Sequence, residues 1–218
     1  KQNRKKAHDE SDFDWKQFFE DFSAIKNEVK TELPFRVVEV YGCEADDVIA
    51  VLAKQQCPHQ DRVIIISSDK DLIQIQSDIC PKAEQWSPFH KKFITAASNN
   101  YNLFEHVIRG DGGDGIPNIM SDDDVFLVEG KRSKPIRATN IMQWESKGGL
   151  QYPQNFCTTP EMLDRFNRNL NLIDLRQIPE CFVEKIVQEF NSWQKPQIDV
   201  FAYLVRHKLK KILESGLL

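Results

Sequence analysis

Acidic side chains recur in three short stretches of this chain: Glu44-Ala45-Asp46-Asp47, Ser67-Ser68-Asp69-Lys70-Asp71, and Gly110-Asp111-Gly112-Gly113-Asp114-Gly115-Ile116-Pro117. Carboxylates gathered at one site repel each other unless a cation neutralises them, and oxygen donors of this kind suit a hard divalent ion. Held there, such an ion serves hydrolysis of a phosphoester. Each stretch also has a purely structural reading. Asp69 is a suitable N-cap for a helix starting at Lys70, and three acids at a helix start are favoured by the macrodipole. An EF-hand reading of the glycine-rich stretch fails because its ligand periodicity and glycine position do not fit. The recurrence of all three stretches is what favours a shared site.

The elements that must position these acids follow from the neighbouring residues. Val63-Ile64-Ile65-Ile66 reads as a strand buried on both faces of a parallel sheet. Ligands of open α/β sheets lie outside the carboxyl ends of the strands, so Asp69 and Asp71 should face a crevice. Residues 35–40 read as a short strand, and Gly42 turns the chain into a helix through Val48, Ile49, Val51 and Leu52, bringing Glu44 and Asp46 beside that crevice. A short helix through Leu72, Ile73 and Ile75 follows, then a hairpin-like pair around Ser87-Pro88, with His90 as a surface residue of its turn. Residues 102–109 form a helix that delivers the third acidic stretch.

The remaining elements are scaffold. Asp14 caps a helix whose Trp15, Phe18, Phe19, Phe22, Ile25 and Val29 recur at helical spacing up to Pro34, a stripe that predicts core packing rather than a base-stacking surface. Residues 118–159 read as irregular, with Asp122-Asp123-Asp124 as solvated surface. Helices are expected over 161–172, 180–193 and 200–213. The fold class is therefore α/β with a helical C-terminal half packed on it.

Composition adds constraints. Lysine and arginine number 29 against 33 acids, a net charge of -4 that by itself argues against a nucleic-acid partner. Basic patches nevertheless open the chain (Lys1, Arg4, Lys5, Lys6), sit in its middle (Lys131, Arg132, Lys134, Arg137) and recur near its end (Arg206, Lys208, Lys210, Lys211). The five cysteines form no CxxC pair, so neither a disulfide framework nor a zinc site is expected, and a reducing cytosol is the natural compartment. No apolar run approaches the ~18 residues of a membrane span.

The three acidic stretches, in this order and at these spacings, resemble the flap endonuclease or 5′-nuclease family. Within it the likeness is to the ribonucleases H of T-even bacteriophages, carried also by Gln85-Trp86-Ser87-Pro88-Phe89-His90-Lys91-Lys92, Val128-Glu129-Gly130, Asn169-Leu170-Asn171-Leu172-Ile173-Asp174 and Lys1-Gln2-Asn3-Arg4. The resemblance implies a PIN-like (Rossmann-like), mostly parallel sheet with flanking helices and a C-terminal helix-hairpin-helix-type region. It divides the chain into a flexible arch remnant (1–13), a partial nuclease core (14–109) and a helical duplex-binding region (110–218). The implied activity is a magnesium-dependent 5′-to-3′ exonuclease and flap endonuclease using two ions, with Mn2+ as a substitute, which acts on RNA·DNA and DNA duplexes and removes primers in phage replication.

By that resemblance Asp46 and Asp69 are ligands of the first metal, and Asp71 and Asp114 of the second, while Glu44, Asp47 and Asp111 act through water. Lys1 and Arg4 match the basic pair that opens the family's helical arch, the lysine near the scissile phosphate. Lys131, Arg132 and Lys134 are candidate phosphate contacts. Implied partners are duplex, forked or flapped DNA, RNA·DNA hybrid, a phage single-stranded-DNA-binding protein and the sliding clamp, for a monomer without a membrane, in the cytoplasm of an infected bacterium.

Two departures stand out. The family's upstream acidic strands have no counterpart, because this chain begins at the arch, and it is expected to be a fragment that binds the first metal poorly. Gly115 follows Asp114 where many relatives have Asn, which bears on the monovalent-cation site. Two rival readings remain open, a non-catalytic branched-DNA-binding module and a metal-dependent phosphatase of small phosphoesters.

Overall fold

Asp14 accepts a hydrogen bond from the Gln17 amide at 2.9 Å and starts helix α1, Trp15–Glu32, in a computed structural model that describes residues 13–99, 101–196 and 199–215. The helix stops where Pro34 forces the preceding Leu33 into extended backbone. Its aromatic stripe is not the core it was expected to be. Phe18, Phe19, Phe22 and Ile25 are all exposed, and no residue of the helix is buried. Periodicity marks the apolar face correctly but cannot say what covers it.

The chain divides into two compact units, Gly42–Glu184 and the described residues of Lys1–Tyr41 with Lys185–Leu218. In the latter unit, residues 35–40 run without a strand partner among the described residues, where a short strand was expected. Side-chain contacts hold them instead: Arg36 lies over the rings of Phe190 and Trp193 at 4.2 and 5.0 Å, and the Trp193 indole donates to the Phe35 carbonyl at 3.2 Å. The expected last helix is broken into Val200–Arg206 and Lys210–Glu214, separated at Lys208, whose φ of 55° no α-helix accommodates.

The unit Gly42–Glu184 carries a sheet of order β1-β2-β3, formed by Val63–Ile66, Ala83–Ser87 and Lys92–Ile94. Strand β1 pairs parallel with β2, Val63 opposite Ala83, and β2 pairs antiparallel with β3 across the predicted turn at Ser87-Pro88. The expectation that β1 is buried on both faces fails. Only Ile65 is in the core, while Ile64 and Ile66 are 48% and 71% exposed, and β1 has one sheet edge without a strand partner among the described residues.

Helix α2, Ala45–Gln56, packs Ala50 and Ala53 against Ile65, Leu72, Ile75, Cys80 and Ala83. The short helix expected after Asp71 is realised as a helical turn continuing into a π-helix, Ile75–Ile79. Cys57 and Cys80 form a disulfide with Cα atoms 5.7 Å apart, joining the ends of those two elements. That overturns the expectation of none, since a pair separated by 23 residues has no local signature.

A second core gathers around Leu103–Arg109, here α4 because the short Ala96–Asn99 is α3, and around α6, Pro160–Ile173. Between them lies α5, Ala138–Ser146, in the stretch expected to be irregular. It escapes a periodicity reading because it buries one residue, Ile141, and otherwise stacks Trp144 on Phe156 at 5.6 Å. Helix α6 presents Met162, Phe166, Asn169 and Ile173 to this core, the i, i+4, i+7, i+11 spacing of one buried face.

Candidate metal centre and its relatives

The three acidic stretches meet. Glu44 is the N-cap of α2, and Asp47 accepts the Glu44 amide at 2.9 Å in a capping box, with Asp46 half-buried at the position before Asp47. At the end of β1 the chain is held by its own side chains: Ser67 Oγ accepts from the Asp69 amide at 3.1 Å and Asp69 Oδ1 from the Asp71 amide at 3.0 Å. Gln85, fully buried in β2, donates to the carbonyls of Ser67 and Asp69 at 3.0 and 2.6 Å. Asp69 thus both turns the chain, as its capping reading requires, and sets the approach of Asp71.

Helix α4, capped by Asn102, leads into the 110–117 loop, where Asp111 Oδ1 accepts the amides of Gly113 and Asp114 at 2.8 and 3.2 Å. Gly110 has φ +67°, and a Cβ there would lie 2.3 Å from the Ile116 carbonyl oxygen, so only glycine closes this loop. Asn169 of α6, wholly buried, donates to the carbonyls of Val107 and Pro117, both at 2.9 Å, and ties the loop to its helix.

Glu44, Asp46, Asp47, Asp71, Asp111 and Asp114 line one cleft, together with His106. Asp69 is exposed at the neighbouring strand end, and its charge bears on both Asp46 and Asp71. Burial, then the charges of Asp69, Asp71, Glu44 and Asp47, push Asp46 up to about 6. Burial also raises Asp71, against the pull of His106. Asp111 is partly buried, which raises it, yet the amides of Asp114 and Gly113, with His106 and Lys70, hold it below the ordinary carboxylate range.

One pH dependence follows. Because Asp46 prefers its neutral form in the folded state, that preference stabilises the metal-free protein below about pH 4 and is lost as pH rises through about 6. After solvent screening the effect is on the order of 1 kcal/mol. Asp46→Asn is therefore expected to unfold at higher urea than the wild type at pH 7.5 and at no higher urea at pH 4, with metal removed. Equal differences at both pH values count against it.

The residues fit a divalent cation on an observation independent of charge. Asp71 Oδ1 is buried and accepts no hydrogen bond from the described residues, which is costly for a carboxylate oxygen unless a cation meets it. Asp71, His106 and Asp111 offer ligand atoms within 4.8 Å of one another.

Other expected residues lie elsewhere. Lys1 and Arg4 fall outside the described residues. Arg132 and Lys134 are exposed, and the Lys131 ammonium lies between Asp122 and Asp124. The acidic triplet is not idle solvated surface as expected: Asp122 and Asp123 pair with Arg165 and Arg168 of α6. His106 was missed because a lone histidine has no signature of its own, although its place one helical turn before the glycine-rich loop points it toward the acids.

Residues 1–99 match the family described as 5′-3′ exonuclease, N-terminal resolvase-like domain, and residues 97–216 match T4 RNase H, C terminal. The ribonuclease H of Enterobacteria phage T4 is 32% identical over 99% of this chain and 70% of its own length. The chain belongs to the T4 ribonuclease H family. That family membership makes it a metal-dependent 5′-3′ nuclease of the flap-endonuclease type. The flap endonuclease Xni of Shewanella sp. (strain MR-4) is 31% identical over 59% of the chain, which spans about half of it, 51%. A bacteriophage T5 flap endonuclease, solved as a pseudo-enzyme-product complex with DNA and metal ions, shares the fold with a TM-score of 0.57 at 22% identity, over 88% of this chain and 77% of its own. The family's resolvase-like sheet agrees with the expected PIN-like class. No helix among the described residues is long and apolar enough to cross a membrane.

Proposed function

We propose that this family member removes RNA primers and 5′ flaps from RNA·DNA and DNA duplexes in the cytoplasm of a phage-infected bacterium, with Mg2+ as its ion. The observation that carries the reading is the convergence of carboxylates from three separated stretches on one cleft, one of them with a buried oxygen that has no donor among the described residues. Bound there, divalent ions supply activation of water and neutralisation of charge on the phosphate. Asp46, Asp69, Asp71 and Asp114 are the residues to hold them, with Glu44, Asp47 and Asp111 orienting water around them.

The functional division falls near residue 110. The core before it carries most of the acids, and the region after it grips duplex phosphates through the 110–117 loop and through Arg132 and Lys134. Lys1 and Arg4 meet the scissile phosphate, and the phage single-stranded-DNA-binding protein and sliding clamp deliver the enzyme to forks. The exposed cations Arg132 and Lys134 suit a polymeric phosphodiester better than a small phosphoester, which favours the nuclease over the phosphatase reading.

The test is cleavage of a 5′-labelled flap and of an RNA-primed duplex, with Mg2+ and with chelator, by this chain and by a version extended upstream. Chelator-sensitive cutting by either version is the expected result. Binding of forked DNA without cutting by both overturns the catalytic reading in favour of a DNA-binding module.

A further inference from the structure

His106 stands between two of the acids. Its Nε2 lies 3.4 Å from Asp111 Oδ2, within hydrogen-bond reach, and its Nδ1 lies 3.6 Å from Asp71 Oδ1, beyond it. An imidazole that gives Nε2–H to Asp111 keeps its lone pair on Nδ1, aimed at the one buried Asp71 oxygen without a donor. Two ligand atoms about 2.1 Å from one ion, at the angles of common coordination polyhedra, are roughly 3.0–3.4 Å apart, slightly less than the gap seen here. A carboxylate fixing the far nitrogen of a ligating histidine is a recurrent metal-site arrangement. The ring is 12% exposed and packs edge-on to Tyr101 at 6.3 Å, so it has little room to turn away.

We infer that His106 Nδ1 and Asp71 Oδ1 ligate one divalent cation, with Asp111 as the positioning residue for the imidazole. This deepens the nuclease reading and rests on it for the ion's role, but not for its binding. A nitrogen donor changes the class of ion favoured at this position. Imidazole suits the later first-row ions, whereas carboxylate and water suit magnesium. The position at Asp71 therefore prefers Co2+ or Zn2+ to Mg2+, while any position built from carboxylates alone keeps the magnesium preference.

The test loads the whole chain with Mn2+ until its divalent sites are saturated, without nucleic acid, and records pulsed EPR. A nitrogen coupling is expected, shifted when histidine is labelled with 15N and absent in His106→Gln. Calorimetry with Co2+ alone is expected to show affinity falling about tenfold or more in that variant, with Mg2+ affinity changed far less. Absence of nitrogen coupling in the wild type overturns the assignment without recourse to any variant, as does coupling that survives His106→Gln. Flap cleavage with Mg2+, run in parallel, separates the two claims. Cleavage without nitrogen coupling removes the His106 ligand and leaves the nuclease, and coupling without cleavage does the reverse.

Discussion

Asp71→Asn is expected to lower flap cleavage at least about a hundredfold while duplex binding and folding persist. Asp71 is the acid in the cleft that most needs a cation: its amide is fixed by Asp69, one oxygen is buried without a donor among the described residues, and His106 faces it. Stabilising charge on a phosphate through a held cation is worth several kcal/mol, and each ~1.4 kcal/mol lost is tenfold in rate. The amide keeps the size of the carboxylate and removes a charge that the metal-free fold disfavours. The variant should therefore melt no lower than the wild type in chelator, which separates loss of a ligand from loss of structure. Cleavage within tenfold of the wild type, in whichever version of the chain cuts, removes Asp71 from the metal site; the same comparison applies to Asp114→Asn.

The second large effect is on stability and reaches the site through it. Asn169→Leu is expected to cost about 2–3 kcal/mol, read as a fall in the urea midpoint, because the Val107 carbonyl loses its side-chain donor and the Pro117 carbonyl loses one of two. Arg168 donates to Pro117 at 3.1 Å and keeps its pairing with Asp123 while losing the Asn169 Oδ1 acceptor, so the loop is loosened rather than released. The loop carries Asp111 and Asp114, and an error of an ångström in their placement is costly to catalysis. Cleavage should fall more than tenfold at temperatures where the variant is still folded. An unchanged rate in folded protein shows that the loop holds its geometry without this tether.

How much of this was legible in the sequence differs by kind of information. The cap at Asp14, the strand at Val63, the hairpin at Ser87-Pro88, the helix ending at Arg109 and helix α6 were readable because each is encoded within a few adjacent residues. The convergence of acids was readable because chemistry-bearing residues followed elements whose ends point to one place. Burial was not. The stripe of α1 and the run in β1 look like core residues from their types alone, yet exposure depends on what lies opposite, which is not local. The same limit hid the Cys57–Cys80 pair, the ion pairs that tie Asp122 and Asp123 to α6, and His106, each defined by partners distant in the chain.

Strand β1 has a bearing on the behaviour of the chain in solution. Its four residues are all β-branched and apolar, with backbone donors and acceptors along one edge that no strand among the described residues meets. Natural edge strands are protected by an inward charge, a proline or a bulge, and Val63–Ile66 carries no such residue. Arg62, the nearest cation, is engaged with Glu84 at 2.6 Å. Two copies meeting along this edge can extend each other's sheets, with Ile64 and Ile66 supplying dry contacts between them. Any pairing along this edge is expected to depend on concentration and to be independent of the acids that lie beyond the end of the strand.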